Sequence, residues 1–262
     1  MLPVCLHDKE GIAAFLRRDA HLHLYELGDL DDFFWPYTTW YALQERGEIR
    51  ELVLFYTGTS LPVLLALTAH PEGTMRDLLR SILPFLPRRF YAHLSGDLAN
   101  LLAGDYEVEP HGTHHKMALT DPSRPGKVDT AAVARLTGAD LPELMRLYEA
   151  SYPGHWFDPR MLETGYYFGL RQGGELVSVA GIHVYAPHYR VAALGNVTTH
   201  PDFRGRGFAA AVCAALCQAL RQTVDQIGLN VKADNRSAIA LYEGLGFERA
   251  GAYEEGMFAA RS

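Results

Sequence analysis

The residues best equipped for chemistry lie late in the chain, in the stretch Val191-Ala-Ala-Leu-Gly-Asn-Val-Thr-Thr-His-Pro-Asp-Phe-Arg-Gly-Arg-Gly-Phe-Ala-Ala-Ala. A strand-like run enters His200-Pro201, where proline withdraws a backbone donor and ends a ladder. Arg204-Gly205-Arg206-Gly207 follows and leads directly into an Ala-rich helical stretch. Glycines at 205 and 207 let the backbone come close to a ligand. The N–H groups that open a helix have no intrahelical acceptor and sit at its positive end. They therefore suit a phosphate or pyrophosphate, and Arg204 and Arg206 add charge beside them. A short Arg-Gly-x-Gly gains meaning from this order of strand, proline, loop and helix. The stretch lacks the Gly-Lys-Ser/Thr ending of a P-loop and the three-glycine spacing of a dinucleotide fold.

A second group follows at Asn235, Ala238, Leu241, Tyr242, Gly246 and Phe247. Together the two stretches resemble the GNAT superfamily of N-acetyltransferases. Its acyl-CoA-binding signature, Arg/Gln-x-x-Gly-x-Gly/Ala, falls on Arg204, Gly207 and Ala209, and its second signature, Asn-x-x-Ala-x-x-Leu-Tyr-x-x-x-Gly-Phe, falls on the later group. The resemblance covers roughly residues 127–258. It implies acetyl-CoA, or another acyl-CoA, as co-substrate, and a mixed sheet splayed between its fourth and fifth strands. The pantetheine arm would lie in that splay and pair with the backbone around Val197, Thr198 and Thr199. The pyrophosphate would sit on the N–H groups of Gly205, Arg206, Gly207, Phe208, Ala209 and Ala210, beside Arg204. Asn235 matches a residue that contacts the pantetheine arm, and Tyr242 matches the usual general acid. The chemistry agrees: an amine attacking a thioester builds an oxyanion and expels a thiolate, and a nearby phenol can hydrogen-bond to or protonate that sulfur.

Some family members place a glutamate five residues before the motif asparagine as the base that deprotonates the amine. Here that position is Asn230, which cannot act as one. His155, Trp156, Glu163 and His183 lie in segments that flank the acceptor site in the family and are the expected acceptor-side residues. Without a dedicated base, an α-amino group with pKa near 8 reacts better at neutral pH than a lysine near 10.4. No metal is expected. His111, His114 and His115 sit in a predicted strand without cysteines or paired acids nearby, and Cys213 and Cys217 share one face of the long helix as small core residues. The aromatic run Phe33 to Tyr41 reads as strand and core filling.

These side chains need a scaffold. Before residue 122, periodicity predicts helices near 9–18, 21–30, 74–83 and 97–103. Strands are predicted at 38–44, 51–56, 62–68, 89–94 and 106–119. Residues 119–128, with two prolines and a glycine, read as a linker. Beyond it come strands at 132–136, 166–171, 176–185, 191–199 and 226–232, helices at 141–149, 159–164, 207–221 and 237–245, and a closing strand or hairpin at 247–258. The element order of the first half returns in the second. The expected fold class is therefore α+β, two GNAT-like units in tandem, each a mixed, mostly antiparallel sheet flanked by helices. Residues 1–122 would form a degenerate unit without a CoA site, since Ala69-His-Pro-Glu-Gly carries an acid where a base is wanted, and 127–262 the catalytic unit.

Composition sets the outer limits. At 262 residues, 48% hydrophobic and 21% charged, the chain can bury a core and is not disordered. Residues 1–122 hold 10 basic and 17 acidic side chains, so the whole net charge of −7 lies there and the rest of the chain is balanced. Nucleic acid is disfavoured as the main partner, and the neutral half is the one suited to a polyanion. No apolar run approaches the roughly 18 residues of a membrane helix. The start resembles no signal peptide, and the three cysteines form no disulfide framework, so a cytoplasmic monomer or homodimer is expected. The expected function is transfer of an acetyl or other short acyl group to a primary amine of a small molecule or peptide N-terminus. A non-catalytic acyl-CoA-binding module and an aminoacyl-tRNA-dependent transferase are the alternatives.

Overall fold

The structure, a computed structural model, describes residues 2–155 and 157–261. The chain divides into two compact units. One comprises the residues up to Lys116, with Val231–Asp234 and the segment from Arg249 onward; the other comprises Met117–Asn230 and Asn235–Glu248.

In the first unit, β1 (Val4–Leu6) precedes α1 (Lys9–Leu16) and α2 (Leu24–Gly28). The Asp8 side chain caps α1 by accepting from the Glu10 N–H. Strands β2 (Thr38–Glu45) and β3 (Glu48–Tyr56) form a hairpin whose turn residues Arg46 and Gly47 both have positive φ, the conformation that matches strand twist. Strands β1 through β4 (Val63–Ala66) are antiparallel in order, and β4 then runs parallel to β5 (Arg89–Leu94). That parallel step needs a crossover, supplied by α3 (Thr74–Ile82). Its Met75, Leu78, Leu79 and Ile82 recur at helical spacing and are buried against Leu64, Phe90 and Phe258. After α4 (Ala99–Leu102) comes β6 (Tyr106–Leu119).

The closing strand departs from the expected division of the chain. Strand β12 (Phe247–Ala260) pairs antiparallel with β5, from Glu254 opposite Leu94 to Ala259 opposite Arg89. The segment from Arg249 onward therefore groups with the N-terminal residues and not with 127–248. The edge of β5 away from β4 needs a partner, and Phe258 stacks on Phe90 with ring centroids 5.2 Å apart.

This unit also buries charge. Lys116, 2% exposed, lies 3.9 Å from Glu26 Oε2 and over the rings of Tyr25 and Tyr253. Glu255 accepts hydrogen bonds from the hydroxyls of Tyr91 and, at 2.9 Å, Tyr253, with His93 Nε2 3.5 Å and His114 Nδ1 3.7 Å away. His111 meets the Tyr91 hydroxyl at 3.1 Å.

The second unit repeats the strand plan. Strands β7 (Val133–Arg135), β8 (Phe168–Gln172), β9 (Glu175–Ala186) and β10 (Val191–Thr199) are antiparallel in order. Strand β10 then runs parallel to β11 (Gln226–Lys232), with Val191 to Ala193 opposite Gln226 to Gly228. Helix α5 (Leu141–Ser151) packs on β9 and β10, as does the crossover helix α6 (Phe208–Leu220); α7 (Arg236–Gly244) follows β11. Arg171 on β8 fixes the start of α5 through Asp140 at 2.6 Å and Glu143 at 2.8 Å. Residues Pro159–Thr164 form a 3-10 segment and not the expected α-helix, opened by Pro159 and ended by left-handed Gly165.

The segment read as a linker is pinned in place. Gln218 donates to the Pro125 carbonyl at 2.7 Å, Arg221 to that of Pro122 at 2.7 Å, and Arg124 donates to the Glu243 carbonyl at 3.0 Å. Gly246, at φ +90, passes so close that a Cβ would lie 2.4 Å from the Asp121 carbonyl oxygen. Its prolines and glycine thus serve a packed turn. No helix among the described residues is long and apolar enough to cross a membrane.

Candidate functional site

Strand β10 carries the candidate site to its C-terminal end. Thr198 and Thr199 are tied to β9: Ser178 Oγ donates to the Thr198 carbonyl at 3.3 Å and meets Thr199 Oγ1 at 2.8 Å. Thr198 Oγ1 also donates to Ser151 Oγ at 3.1 Å, binding the strand to the end of α5. Pro201–Phe203 then form a single 3-10 turn, opened by His200, whose Nδ1 accepts from the Asp202 N–H at 3.3 Å.

The loop Arg204 to Gly207 is exposed. Gly205 and Gly207 have φ of +74 and +81, and no atom lies within 4 Å of a Cβ built on either. Backbone conformation, not crowding, therefore requires glycine here. Arg204 Nε donates to the Thr199 carbonyl at 3.2 Å and Arg206 to the Asp202 carbonyl at 3.0 Å, so both guanidinium groups fold back beside the loop. Gly207 is the N-cap of α6, and among the described residues no side chain caps that end. The first helical bond is that of the Ala211 N–H to the Gly207 carbonyl at 3.1 Å. The N–H groups preceding it, those of Phe208, Ala209 and Ala210, come before the first intrahelical bond and have no acceptor within the helix. Behind them Cys213 and Cys217 are fully buried, and burial pushes the Cys213 thiol up to about 12.

Asn235 serves first as a helix cap. Its Oδ1 accepts from the Ala238 N–H at 3.2 Å and from Ser237 Oγ at 3.0 Å. Tyr242 lies two turns along α7, 7% exposed, with its ring edge-on to Phe247 at 5.8 Å.

The acceptor-side residues fare differently. His155 stacks on Tyr148 at 4.7 Å and its Nδ1 accepts from the Phe157 N–H at 3.2 Å. His183 on β9 lies against Gly195 of β10, where a Cβ would come 2.2 Å from the imidazole Cδ2. Burial lowers the His183 pKa, opposed by the neighbouring Asn196 amide. Glu163 is exposed on the 3-10 segment. Trp156 lies outside the described residues.

Sequence reasoning missed the residues that organise this cluster. Asn196, 2% exposed and at φ +54, accepts from the Tyr148 hydroxyl at 3.0 Å through its carbonyl and donates through Nδ2 to the Tyr167 hydroxyl at 2.9 Å. Tyr167 in turn donates to the Ile182 carbonyl at 3.4 Å and covers Gly181. The available signal was Gly195-Asn196 inside a strand, a turn-forming pair that marks a bulge.

Residues 135–247 match the acetyltransferase (GNAT) family. The chain is 30% identical over 123 residues to the [ribosomal protein bS18]-alanine N-acetyltransferase of Escherichia coli strain K12, covering 45% of this chain and 81% of that protein. It is 30% identical over 139 residues to the N-alpha-acetyltransferase RimI of Mycobacterium tuberculosis, covering 51% and 84%. Its fold resembles a solved tandem GNAT protein from the clavulanic acid biosynthesis pathway, with a TM-score of 0.54 at 16% identity over 100% of this chain and 98% of that one. A match that runs from the end of β7 to the start of β12, at this identity and over most of two N-acetyltransferases, makes the chain an enzyme of the GNAT family of acetyltransferases.

Proposed function

We propose that the protein is an acyl-CoA-dependent N-acyltransferase that moves an acetyl or other short acyl group to the primary amine of a small molecule or a peptide N-terminus, by direct attack with both substrates bound. The observation that carries this reading is the uncapped start of α6 behind the exposed glycines Gly205 and Gly207. In it the N–H groups from Gly205 to Ala210 hold the CoA pyrophosphate, with Arg204 and Arg206 as flanking charge. Val197 to Thr199 would take the pantetheine arm, beyond the point where the β10–β11 pairing ends at Ala193 and Gly228. Asn235 reaches that arm through the Nδ2 that its cap does not use. When bound, acyl-CoA supplies an activated thioester. Tyr242 hydrogen-bonds to and protonates the departing sulfur; with a phenol near pKa 10 and a thiol near 8.5 the transfer is slightly uphill and is drawn on by product release.

The residue types favour an α-amine. Asn230 replaces the carboxylate that would deprotonate a lysine, and an amine of pKa near 8 is already partly neutral at pH 7. The two bacterial relatives are named for N-acetylation of an alanine of ribosomal protein bS18 and for N-alpha-acetylation, which supports a peptide α-amine. The first unit, a second copy of the strand plan, lacks a CoA site: α3 is preceded by His70-Pro-Glu-Gly, without arginines.

The test is a thiol-release screen of amines, amino acids and short peptides with acetyl-CoA, then with longer acyl chains. Amine-dependent release is the expected result. Tight CoA binding without release by any amine would replace this reading with a non-catalytic acyl-CoA-binding module.

A further inference from the structure

The C-terminal end of β10 has strand support on one side only. Its register with β11 ends at Ala193 opposite Gly228, so residues 194–199 have β9 as their ladder partner. That ladder is itself interrupted. Gly195 pairs with Gly181 and Thr198 with Val179, which sets Asn196 and Val197 of β10 against the single residue Ala180 of β9. A strand end with one broken ladder and one open edge frays unless other groups hold it.

Hydroxyls supply that hold from both faces of the sheet. Opposite residues of an antiparallel pair share a face, and Thr199 and Ser178 do so, with Oγ1 and Oγ 2.8 Å apart. Ser178 is fully buried and spends its own proton on the Thr198 carbonyl at 3.3 Å, so Thr199 is the donor of the 2.8 Å pair. Thr198 points to the other face, where Oγ1 donates to Ser151 Oγ at 3.1 Å and Ser151 donates on to the Leu147 carbonyl at 2.5 Å. Two successive residues are thus tied to α5 on one face and to β9 on the other. The first unit shows the same strand plan with its gap closed by the chain. There the β4–β5 register ends at Ala66 and Leu94, and Ser95 then bridges the gap: its N–H donates to the Ala66 carbonyl at 3.1 Å and its Oγ accepts from the Thr68 N–H at 3.0 Å. Among the described residues, no hydrogen bond of this kind joins residues 229–235 to residues 194–199. An open strand edge receives an extended chain with peptide-like amides, which is what pantetheine presents.

We infer that the Thr198 and Thr199 hydroxyls, through Ser151 and Ser178, are positioning groups for the co-substrate: they hold the open edge of β10 in the extended form with which the pantetheine arm of acyl-CoA pairs. This rests on the acyltransferase reading above. The four hydroxyls act through the backbone of β10 and not on the reacting atoms. Without one of them the free strand end spends part of its time out of register, and only the remaining fraction is competent to bind. Apparent affinity for acyl-CoA falls by that fraction. Bound acyl-CoA restores the edge, so the loss appears in its affinity and not in turnover at saturation.

The test uses the full chain with acetyl-CoA, CoA and alanyl-alaninamide. Thr198→Val and Thr199→Val keep the β-branched shape and remove the hydroxyl; Thr198→Ser and Thr199→Ser keep the hydroxyl. Each valine variant is expected to raise KM for acetyl-CoA, and Kd for CoA measured by calorimetry, by about 3- to 10-fold, with kcat and KM for alanyl-alaninamide within about twofold of wild type. The serine variants should bind CoA within about twofold of wild type. Backbone amide exchange at residues 197–199 gives a readout that needs no turnover. Without CoA it should be about 3- to 10-fold faster in the valine variants than in the wild type, and CoA should remove the difference. The two failures are distinct. If the wild type does not bind CoA, the acyltransferase reading falls and this inference with it. If the wild type binds CoA, the inference alone falls on any of three results: valine variants that bind CoA as tightly as wild type, valine variants that lose affinity for CoA and peptide alike, or serine variants as weak as the valine ones.

Discussion

The Tyr148 hydroxyl donates to the backbone carbonyl of Asn196 at 3.0 Å, so the last turn of α5 holds the bulge of β10. Burial raises the Tyr148 pKa, which keeps this hydroxyl protonated as a donor. The ring is independently held by His155 at 4.7 Å and Phe157 at 5.3 Å. Tyr148→Phe should therefore keep its packing and lose one buried hydrogen bond, for a destabilisation of about 1–3 kcal/mol in urea unfolding. A change below a few tenths would mean that water replaces the hydroxyl.

Tyr242 is read as the group that protonates sulfur. Tyr242→Phe should lower kcat by about 100-fold while leaving CoA affinity near wild type. The measurement is steady-state kinetics with calorimetry on the same preparations, and an unchanged kcat would remove Tyr242 from the mechanism.

Gly207 tests the anion cradle through backbone conformation alone. At φ +81 with no atom within 4 Å of a Cβ, alanine meets no clash, only the left-handed penalty of about 1–2 kcal/mol. If the variant loop relaxes from this conformation when free and must return to it to hold CoA, Gly207→Ala weakens CoA binding by about 5- to 30-fold; unchanged CoA affinity with lost folding stability would mean that the strain is carried in both states. Gly126→Ala, where a Cβ also meets nothing and φ is ordinary, is the control expected to bind CoA as wild type does.

The buried histidine of the first unit makes stability depend on pH. Burial lowers the His93 pKa from 6.5 to about 4, with Glu255 opposing. The unfolded chain thus binds a proton through pH 6.5 that the folded chain refuses until about pH 4. The stabilisation is complete above 6.5 and declines as pH falls toward 4, by about 3 kcal/mol over the window. His93→Gln should flatten this part of the profile in denaturant unfolding measured from pH 7 to 4; parallel profiles for the two proteins would contradict the assignment.

Much of the scaffold was legible locally. Strands 89–94, 106–119, 191–199 and 226–232 have in the structure the bounds that periodicity predicts. The helix starts at α6 and α7 were marked by Gly207 and Asn235, residues whose backbone or capping preferences act within a few positions. The apparent linker misled because prolines and glycines look alike in a free tether and in a packed turn. What distinguishes them is the hydrogen bonding from Gln218, Arg221 and Arg124.

The candidate site divides along the same line. The amino-acid sequence alone determined the glycine loop before α6 and the place of Tyr242 on α7, because a turn that requires positive φ and a helix that starts uncapped are short-range properties of the chain. Only the tertiary structure decided that β12 pairs with β5 and that His183 lies on Gly195 beside Asn196. Strand pairing and burial depend on which surfaces meet across the fold, and no local stretch of chain records that.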